Sequence, residues 1–227
     1  IMTMDWYIFP LLLSLAVTLL AQMAVSGAYR KYSRMRSAGG VTGARMARHM
    51  LDAARLYDVN ILSAPGRLSD HYDPRTRVLR LSPEVAGGDS LAALGVAAHE
   101  AGHALQHDEG YFFLGMRSAL VPAANIGTQL AWPLFLLGLI ASWDPLMLAG
   151  IGVFSLAVIF TLVTLPVEFD ASRRALAALS DSGTLTEKEL SGARAMLSAA
   201  ALTYVAAAFT AILNLLRLIA LRGRRRN

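Results

Sequence analysis

The chain alternates between long stretches without charge and shorter polar stretches. Four runs contain no Asp, Glu, Lys, Arg or His, and they comprise residues 6–29, 118–143, 145–167 and 195–216. A helix needs roughly 20 residues to cross a hydrocarbon core of about 30 Å, so each run predicts a transmembrane helix. The last run is rich in Ala and includes Ser198, Thr203, Thr210 and Asn214, so a buried core helix is the alternative for it.

The polar stretches are residues 30–117, which are enough for a small domain, a second segment at 168–194 and a basic tail at 217–227. Within the first stretch, helical spacing of apolar residues predicts a helix over 42–57. Short β-prone runs lie at 59–62 and 78–81, with turn-forming residues at 70–74 between them. The predicted fold is a mainly α membrane protein, with about four transmembrane helices and a small α+β domain that contains a short β-hairpin or sheet.

The distribution of basic residues predicts how the chain lies in the membrane. Arg30, Lys31, Arg34 and Arg36 follow the first run, and the positive-inside rule therefore places residues 30–117 in the cytoplasm. Four crossings would leave the Arg-rich tail outside, against that rule, and the sequence leaves open whether the last run crosses fully. We expect the tail to contact anionic lipid headgroups and not nucleic acid, because no aromatic residues separate its arginines. The lipid bilayer, specifically the bacterial cytoplasmic membrane, is the predicted environment.

Composition restricts the chemistry that is available. The chain has no cysteine, 55% hydrophobic residues and 16% charged residues. Disulfides, thiolate nucleophiles and Cys-ligated metals are excluded together, which leaves only His and carboxylate side chains to hold a metal.

An Ala- and Leu-rich helix is predicted from Ser90 to Gly110, and it contains His99-Glu100-Ala101-Gly102-His103, the HExxH pattern. Residues i and i+4 of a helix lie about 40° and 6 Å apart, so both imidazoles can bind one zinc ion. Glu100 lies about 100° around the helix from His99, where it can reach a water on the metal and act as a general base.

A catalytic zinc takes a third protein ligand, and several side chains could supply it. His107 lies about 12 Å along the helix from His99, which favours a surface or supporting role. His49 and His71 are possible. The preferred candidate is Glu168, directly after the third uncharged run, although a carboxylate at that position could also be an interfacial charge.

Several segments of the chain resemble one known family over nearly the whole length. These segments are VAAHEAGHALQH, LSDHYDPRTRVLRLS, PVEFDASRRAL and ALTYVAAAF, and they resemble the YugP-type neutral zinc metallopeptidases, membrane zincins related in pattern to HtpX and the CaaX prenyl endopeptidases. In those relatives the third zinc ligand is a Glu within an E-aromatic-x-Ala-Asp motif. The resemblance implies that Glu168 is that ligand. Ser172 stands here at the acidic position, for which Asp170 is a possible substitute.

The expected function is that of a zinc-dependent metalloendopeptidase acting near the cytoplasmic membrane surface. Zn²⁺ would be held by His99, His103 and Glu168, with Glu100 as the catalytic base and a peptide or membrane protein as substrate. The alternative is a catalytically silent, zinc-stabilised membrane scaffold or chaperone. The oligomeric state is not predicted.

Two details of substrate handling are also expected from the sequence. Residues 75–82 could form an edge strand that receives extended substrate, the alternative being a strand paired only within its own sheet. Candidates for stabilising the oxyanion are His71, Tyr72, Arg173 and Arg174.

Overall fold

The computed structural model describes residues 5–66 and 69–226, and most of them are helical. The elements in chain order are α1 (Asp5–Tyr32), α2 (Gly43–Ala53), β1 (Asn60–Ser63), β2 (His71–Asp73), β3 (Val78–Leu81), α3 (Pro83–Ala86), α4 (Leu91–Asp108), α5 (Phe112–Ile140), α6 (Asp144–Asp181) and α7 (Glu187–Arg226). Of the basic tail, residue 227 lies outside the described residues.

Within the described residues, four helices are long and apolar enough to cross a membrane, which agrees with the number predicted from the uncharged runs. They cover Ile8–Tyr32, Phe112–Ile140, Asp144–Asp181 and Glu187–Gly223. Each helix extends beyond its run at one or both ends, because the flanking charged residues carry no helix-breaking signal, whereas α5 ends at Ile140, before its run does. In particular, α6 continues through Glu168 to Asp181.

The chain forms two compact units, and the first contains most of the membrane-length helices. It comprises residues up to 22, together with Gly115–Pro166 and the chain from Thr203 onward. Phe135, Met147 and Leu218 form its buried core. Close packing of α5 and α6 depends on glycine, since a Cβ at Gly150 would lie 2.8 Å from the backbone nitrogen of Phe135.

An ion pair within this unit ties the start of α6 to the end of α7. The Arg222 guanidinium donates from Nε and from a terminal nitrogen to the two oxygens of Asp144, at 2.7 Å each. The turn that joins α5 to α6 and the last turn of α7 therefore lie at the same end of the unit.

The second unit, Met23–Leu114 with Val167–Leu202, is built around α4. The Ser90 hydroxyl caps this helix by accepting a hydrogen bond from the Ala93 amide. The α4 residues on the core side are fully buried against α2 and the sheet, and they include Leu91, Leu94, Ala97, Ala98 and Ala101. An element buried on most sides holds its few polar side chains in fixed places.

The second unit also contains a three-stranded sheet of order β1-β3-β2. The central strand β3 runs parallel to β1 and antiparallel to β2, with His71 opposite Arg80.

The sheet differs from the sequence prediction in two places. Residues 71–73 form a strand where a turn is predicted. The 75–82 stretch is not an edge strand, because β3 is paired on both sides. The Asp73 side chain accepts hydrogen bonds from the Arg75 amide and the Thr76 hydroxyl, so the true turn begins just after β2.

Candidate metal centre

Helix α4 presents two imidazoles one turn apart. The ring centroids of His99 and His103 lie 4.8 Å apart with an interplanar angle of 84°. Their side chains are mostly buried, with exposed fractions of 13% and 11%. The i, i+4 spacing thus places two ring nitrogens in one small volume.

Helix α6 supplies a carboxylate to the same volume. Glu168 is 2% exposed. Its Oε2 lies 3.1 Å from His99 Nε2 and 3.6 Å from His103 Nε2. One potential ligand atom from each of the three residues lies within 4.8 Å of the others, and no second set of this kind occurs among the residues that the structure describes.

The donor set fits zinc. Two imidazole nitrogens and one carboxylate oxygen match the three protein ligands of many catalytic zinc sites. A carboxylate buried this deeply is costly unless a cation or hydrogen bonds compensate for its charge. A divalent ion between Glu168 and the two imidazoles would provide that compensation.

The close approach of α4 to α6 depends on Gly102. A Cβ at this position would lie 2.8 Å from the carbonyl oxygen of Ala171, which is closer than real Cβ atoms come to backbone. Glycine inside the HExxH pattern therefore allows α6 to approach until Glu168 reaches both imidazoles.

Glu100 lies beside this set and contacts the sheet. Its Oε2 accepts a hydrogen bond of 3.2 Å from the backbone N–H of Tyr72 on β2. Burial raises the pKa of the Glu100 carboxyl above its ordinary value, although the neighbouring His103 and His99 act in the opposite direction. A partly buried carboxyl with a raised pKa is suited to accept and release a proton.

Both imidazoles have hydrogen-bond partners on the ring nitrogen that faces away from Glu168. His99 Nδ1 lies 3.1 Å from the Ser172 hydroxyl. His103 Nδ1 lies 3.0 Å from the side-chain oxygen of Gln106. Burial lowers the pKa of His103, but the hydrogen bond to Glu168 and the charge of Glu100 outweigh it, and the net pKa is raised.

Gln106 is a further residue of this site, and the sequence alone does not predict it. Its only signal is its position three residues after His103, on the same face of α4, since glutamine at that spacing belongs to no motif that we could recognise. Ser172, noted above as a departure from the related pattern, is the residue that contacts His99.

The other candidate residues have different partners. Within the described chain, His49, His71 and His107 do not belong to the three-residue set. His107 Nδ1 lies 2.9 Å from the Tyr72 hydroxyl, and His71 Nδ1 lies 2.7 Å from the Ser69 carbonyl. Among the candidates for oxyanion stabilisation, Arg173 and Arg174 both form ion pairs with Asp170, and Arg174 also binds Glu109.

Comparison with known proteins agrees with the chemistry of this site. Residues 7–223 match the family described as "Putative neutral zinc metallopeptidase". The chain is 45% identical over 223 residues to the "Putative membrane protease YugP" of Bacillus subtilis (strain 168), covering 97% of this chain and 99% of that protein. No solved structure matches the chain. The four apolar helices of the described chain and the membrane relative together indicate a membrane protein, and the chain belongs to the family described as "Putative neutral zinc metallopeptidase".

Proposed function

We propose that the protein is a membrane-embedded zinc metalloendopeptidase that hydrolyses peptide bonds near the cytoplasmic membrane surface. His99, His103 and Glu168 hold the zinc ion, and Glu100 is the catalytic base. The observation that carries the proposal is the convergence of these three ligand atoms within 4.8 Å, on two helices, with Glu100 one residue from His99.

The chemistry divides between the metal and Glu100. Zinc, when bound, lowers the pKa of water and polarises a peptide carbonyl. Glu100 accepts a proton from the water whose oxygen attacks the carbonyl carbon. It then donates that proton to the amide nitrogen as the carbon–nitrogen bond breaks, so that the products are a carboxylic acid and an amine.

The substrate is expected to bind along β2. This strand pairs only with β3 within the sheet, and the Tyr72 N–H on its outer edge points to Glu100. An extended peptide that added to this edge would lie beside the catalytic base, with backbone hydrogen bonds giving affinity without strict sequence preference. The substrate carbonyl would compete with Glu100 for the Tyr72 N–H, which would release the carboxylate for catalysis.

The proposed position at the cytoplasmic surface rests on the chain near the site. α5, a candidate membrane helix, begins at Phe112, shortly after α4 ends. Phe112 is 67% exposed, and its ring meets that of Phe113 edge-on. Basic residues after α1 favour the cytoplasmic side. Peptides or membrane-protein segments close to the bilayer are therefore the proposed substrates.

Replacing Glu100 tests the proposal, with the full chain purified in detergent. We expect Glu100→Gln to retain bound zinc but to lose cleavage of an unfolded protein such as casein by about 100-fold or more, because proton transfer is lost. Zinc per chain and fragment release are the two measurements.

Glu187→Gln is the matched control, since Glu187 is exposed at the start of α7. It should cleave like the wild type. Identical fragment patterns from wild type and Glu100→Gln, with zinc bound in both, would contradict the proposal and favour the zinc-stabilised scaffold or chaperone.

A further inference from the structure

Gln106 is a fully buried polar side chain next to the candidate metal centre. It is 0% exposed, and its amide makes three hydrogen bonds. An amide buried without partners would be costly, so every one of these bonds contributes to keeping it in place. A buried amide with this many partners beside the site calls for a physical explanation.

The partners of Gln106 define which way its amide points. Nε2 donates to the carbonyl oxygen of Val167 at 2.8 Å and to Oδ2 of Asp170 at 2.9 Å. Both partners are acceptors, so the amide nitrogen must face them. The Gln106 oxygen therefore faces His103, because the opposite orientation would put oxygen against two other oxygens.

This orientation determines the protonation of His103. The amide oxygen can only accept a hydrogen bond, and it lies 3.0 Å from His103 Nδ1. Nδ1 therefore carries a proton, and in the neutral ring Nε2 keeps its lone pair. Nε2 is the nitrogen that faces Glu168, at 3.6 Å from its Oε2.

We propose that Gln106 is a positioning residue that holds His103 in the tautomer and orientation required to bind zinc through Nε2. This inference rests on the proposed metal site. Gln106 also binds the carbonyl of Val167, the residue before Glu168, so a single side chain on α4 orients one ligand and holds the backbone next to another.

The environment of Asp170 supports this role. Asp170 is 5% exposed and forms ion pairs with Arg173 and Arg174, and Arg174 continues to Glu109 at 2.6 Å. The two guanidinium groups balance the carboxylate charge, so Asp170 remains an acceptor for Gln106. The two arginines therefore fix the carboxylate to which the Gln106 amide nitrogen donates.

The second imidazole lacks an equivalent constraint. His99 Nδ1 faces the Ser172 hydroxyl, which can donate or accept a hydrogen bond. Ser172 therefore does not select a tautomer. The two histidine partners are expected to differ in their effect on zinc affinity, and this difference provides the test.

The experiment compares the wild-type chain in detergent with two variants: Gln106→Met, which keeps the side-chain length and removes all three hydrogen bonds, and Ser172→Ala. Zinc dissociation constants are measured by chelator competition. The visible absorption spectrum of bound Co²⁺ reports ligand geometry, and thermal unfolding without metal reports folding.

We expect Gln106→Met to weaken zinc binding about 10- to 100-fold and to change the Co²⁺ spectrum. Ser172→Ala should have a smaller effect. Equal zinc affinity in Gln106→Met and the wild type would overturn the inference. If Gln106→Met does not fold, the ¹⁵N chemical shifts of the imidazole nitrogens in the zinc-bound wild type decide: a proton on His103 Nδ1 supports the role, and a proton on His103 Nε2 refutes it.

The same measurements separate this inference from the proposed function. A wild-type chain that binds no zinc would refute the metal site itself. Tight zinc binding with the same affinity in the wild type and in Gln106→Met would refute only the role of Gln106.

Discussion

Glu168 illustrates how a single buried carboxylate connects distant parts of the sequence. The residue is almost inaccessible to solvent and faces two imidazoles from another helix. Burying a carboxylate costs free energy unless a cation or hydrogen bonds compensate its charge, and the position of Glu168 therefore supports the proposed metal site.

We therefore expect Glu168→Ala to lose most of its bound zinc, because only two imidazoles would remain as protein ligands. Zinc per chain, measured after dialysis against a weak chelator, is the readout. Asp181→Ala is a matched control, since Asp181 is exposed at the end of the same helix. Full zinc content with unchanged affinity in Glu168→Ala would show that another side chain completes the site.

The sequence could predict some residues of the site and not others, for physical reasons. His99 and His103 were identifiable because an i, i+4 spacing on a helix places two side chains on one face, and Glu100 because it belongs to the same HExxH pattern. Glu168 was found through its position after an apolar run and through a family resemblance. Gln106 was missed, because its importance comes from Val167 and Asp170, which are more than 60 residues away in the chain.

At the scale of elements, the pairing of α4 with α6 is the arrangement on which the site depends. Gly102 allows this approach, since a Cβ there would meet the backbone oxygen of Ala171 at 2.8 Å. A backbone atom in the middle of a helix cannot move aside as a flexible side chain can.

We therefore expect Gly102→Ala to increase the distance between α4 and α6 near Glu168. We predict a destabilisation of about 1–3 kcal/mol, typical of overpacking, together with weaker zinc binding. Unfolding midpoints and zinc dissociation constants are the measurements.

Gly95→Ala serves as the comparison on the same helix. The added methyl there would meet the terminal carbon of Met196 at 3.0 Å, and that flexible side chain can adjust. Gly95→Ala should bind zinc like the wild type. If both variants retain wild-type affinity, close packing at Gly102 is not required for the site.

The small sheet was only partly predictable. β3 matched its apolar run exactly, and β1 was displaced from its predicted position by one residue. β2 was not predicted, since only Tyr72 favours a strand and its neighbours Asp70, Asp73 and Pro74 are turn-forming residues. Its conformation comes from pairing with β3, a non-local effect that propensity does not capture.

For the whole molecule, the hydrophobic pattern predicted the four long helices because a bilayer requires continuous apolar length. The ends of these helices were less predictable. α6 extends past its apolar run, where Asp170 forms i, i+3 and i, i+4 ion pairs with Arg173 and Arg174 that favour continued helix.

The absence of cysteine makes the predicted membrane orientation directly testable. Ala141→Cys and Gly223→Cys, both at exposed positions, should react with an impermeant maleimide added to intact spheroplasts. Tyr57→Cys, in the polar domain, should react only after lysis, because the basic residues after α1 favour the cytoplasm. Labelling of Tyr57→Cys in intact spheroplasts would show that the orientation is the reverse of the predicted one. Labelling at only one of positions 141 and 223 would mean that α7 does not cross the membrane.

The ion pair between Asp144 and Arg222 has a practical consequence for work on this protein. A fluorescent or enzymatic reporter fused to the C-terminus would emerge close to the short turn after Ile140, so its signal would identify the compartment that this turn faces. Truncation before Arg222 would remove the guanidinium from Asp144, and shortened expression products are better ended beyond that residue.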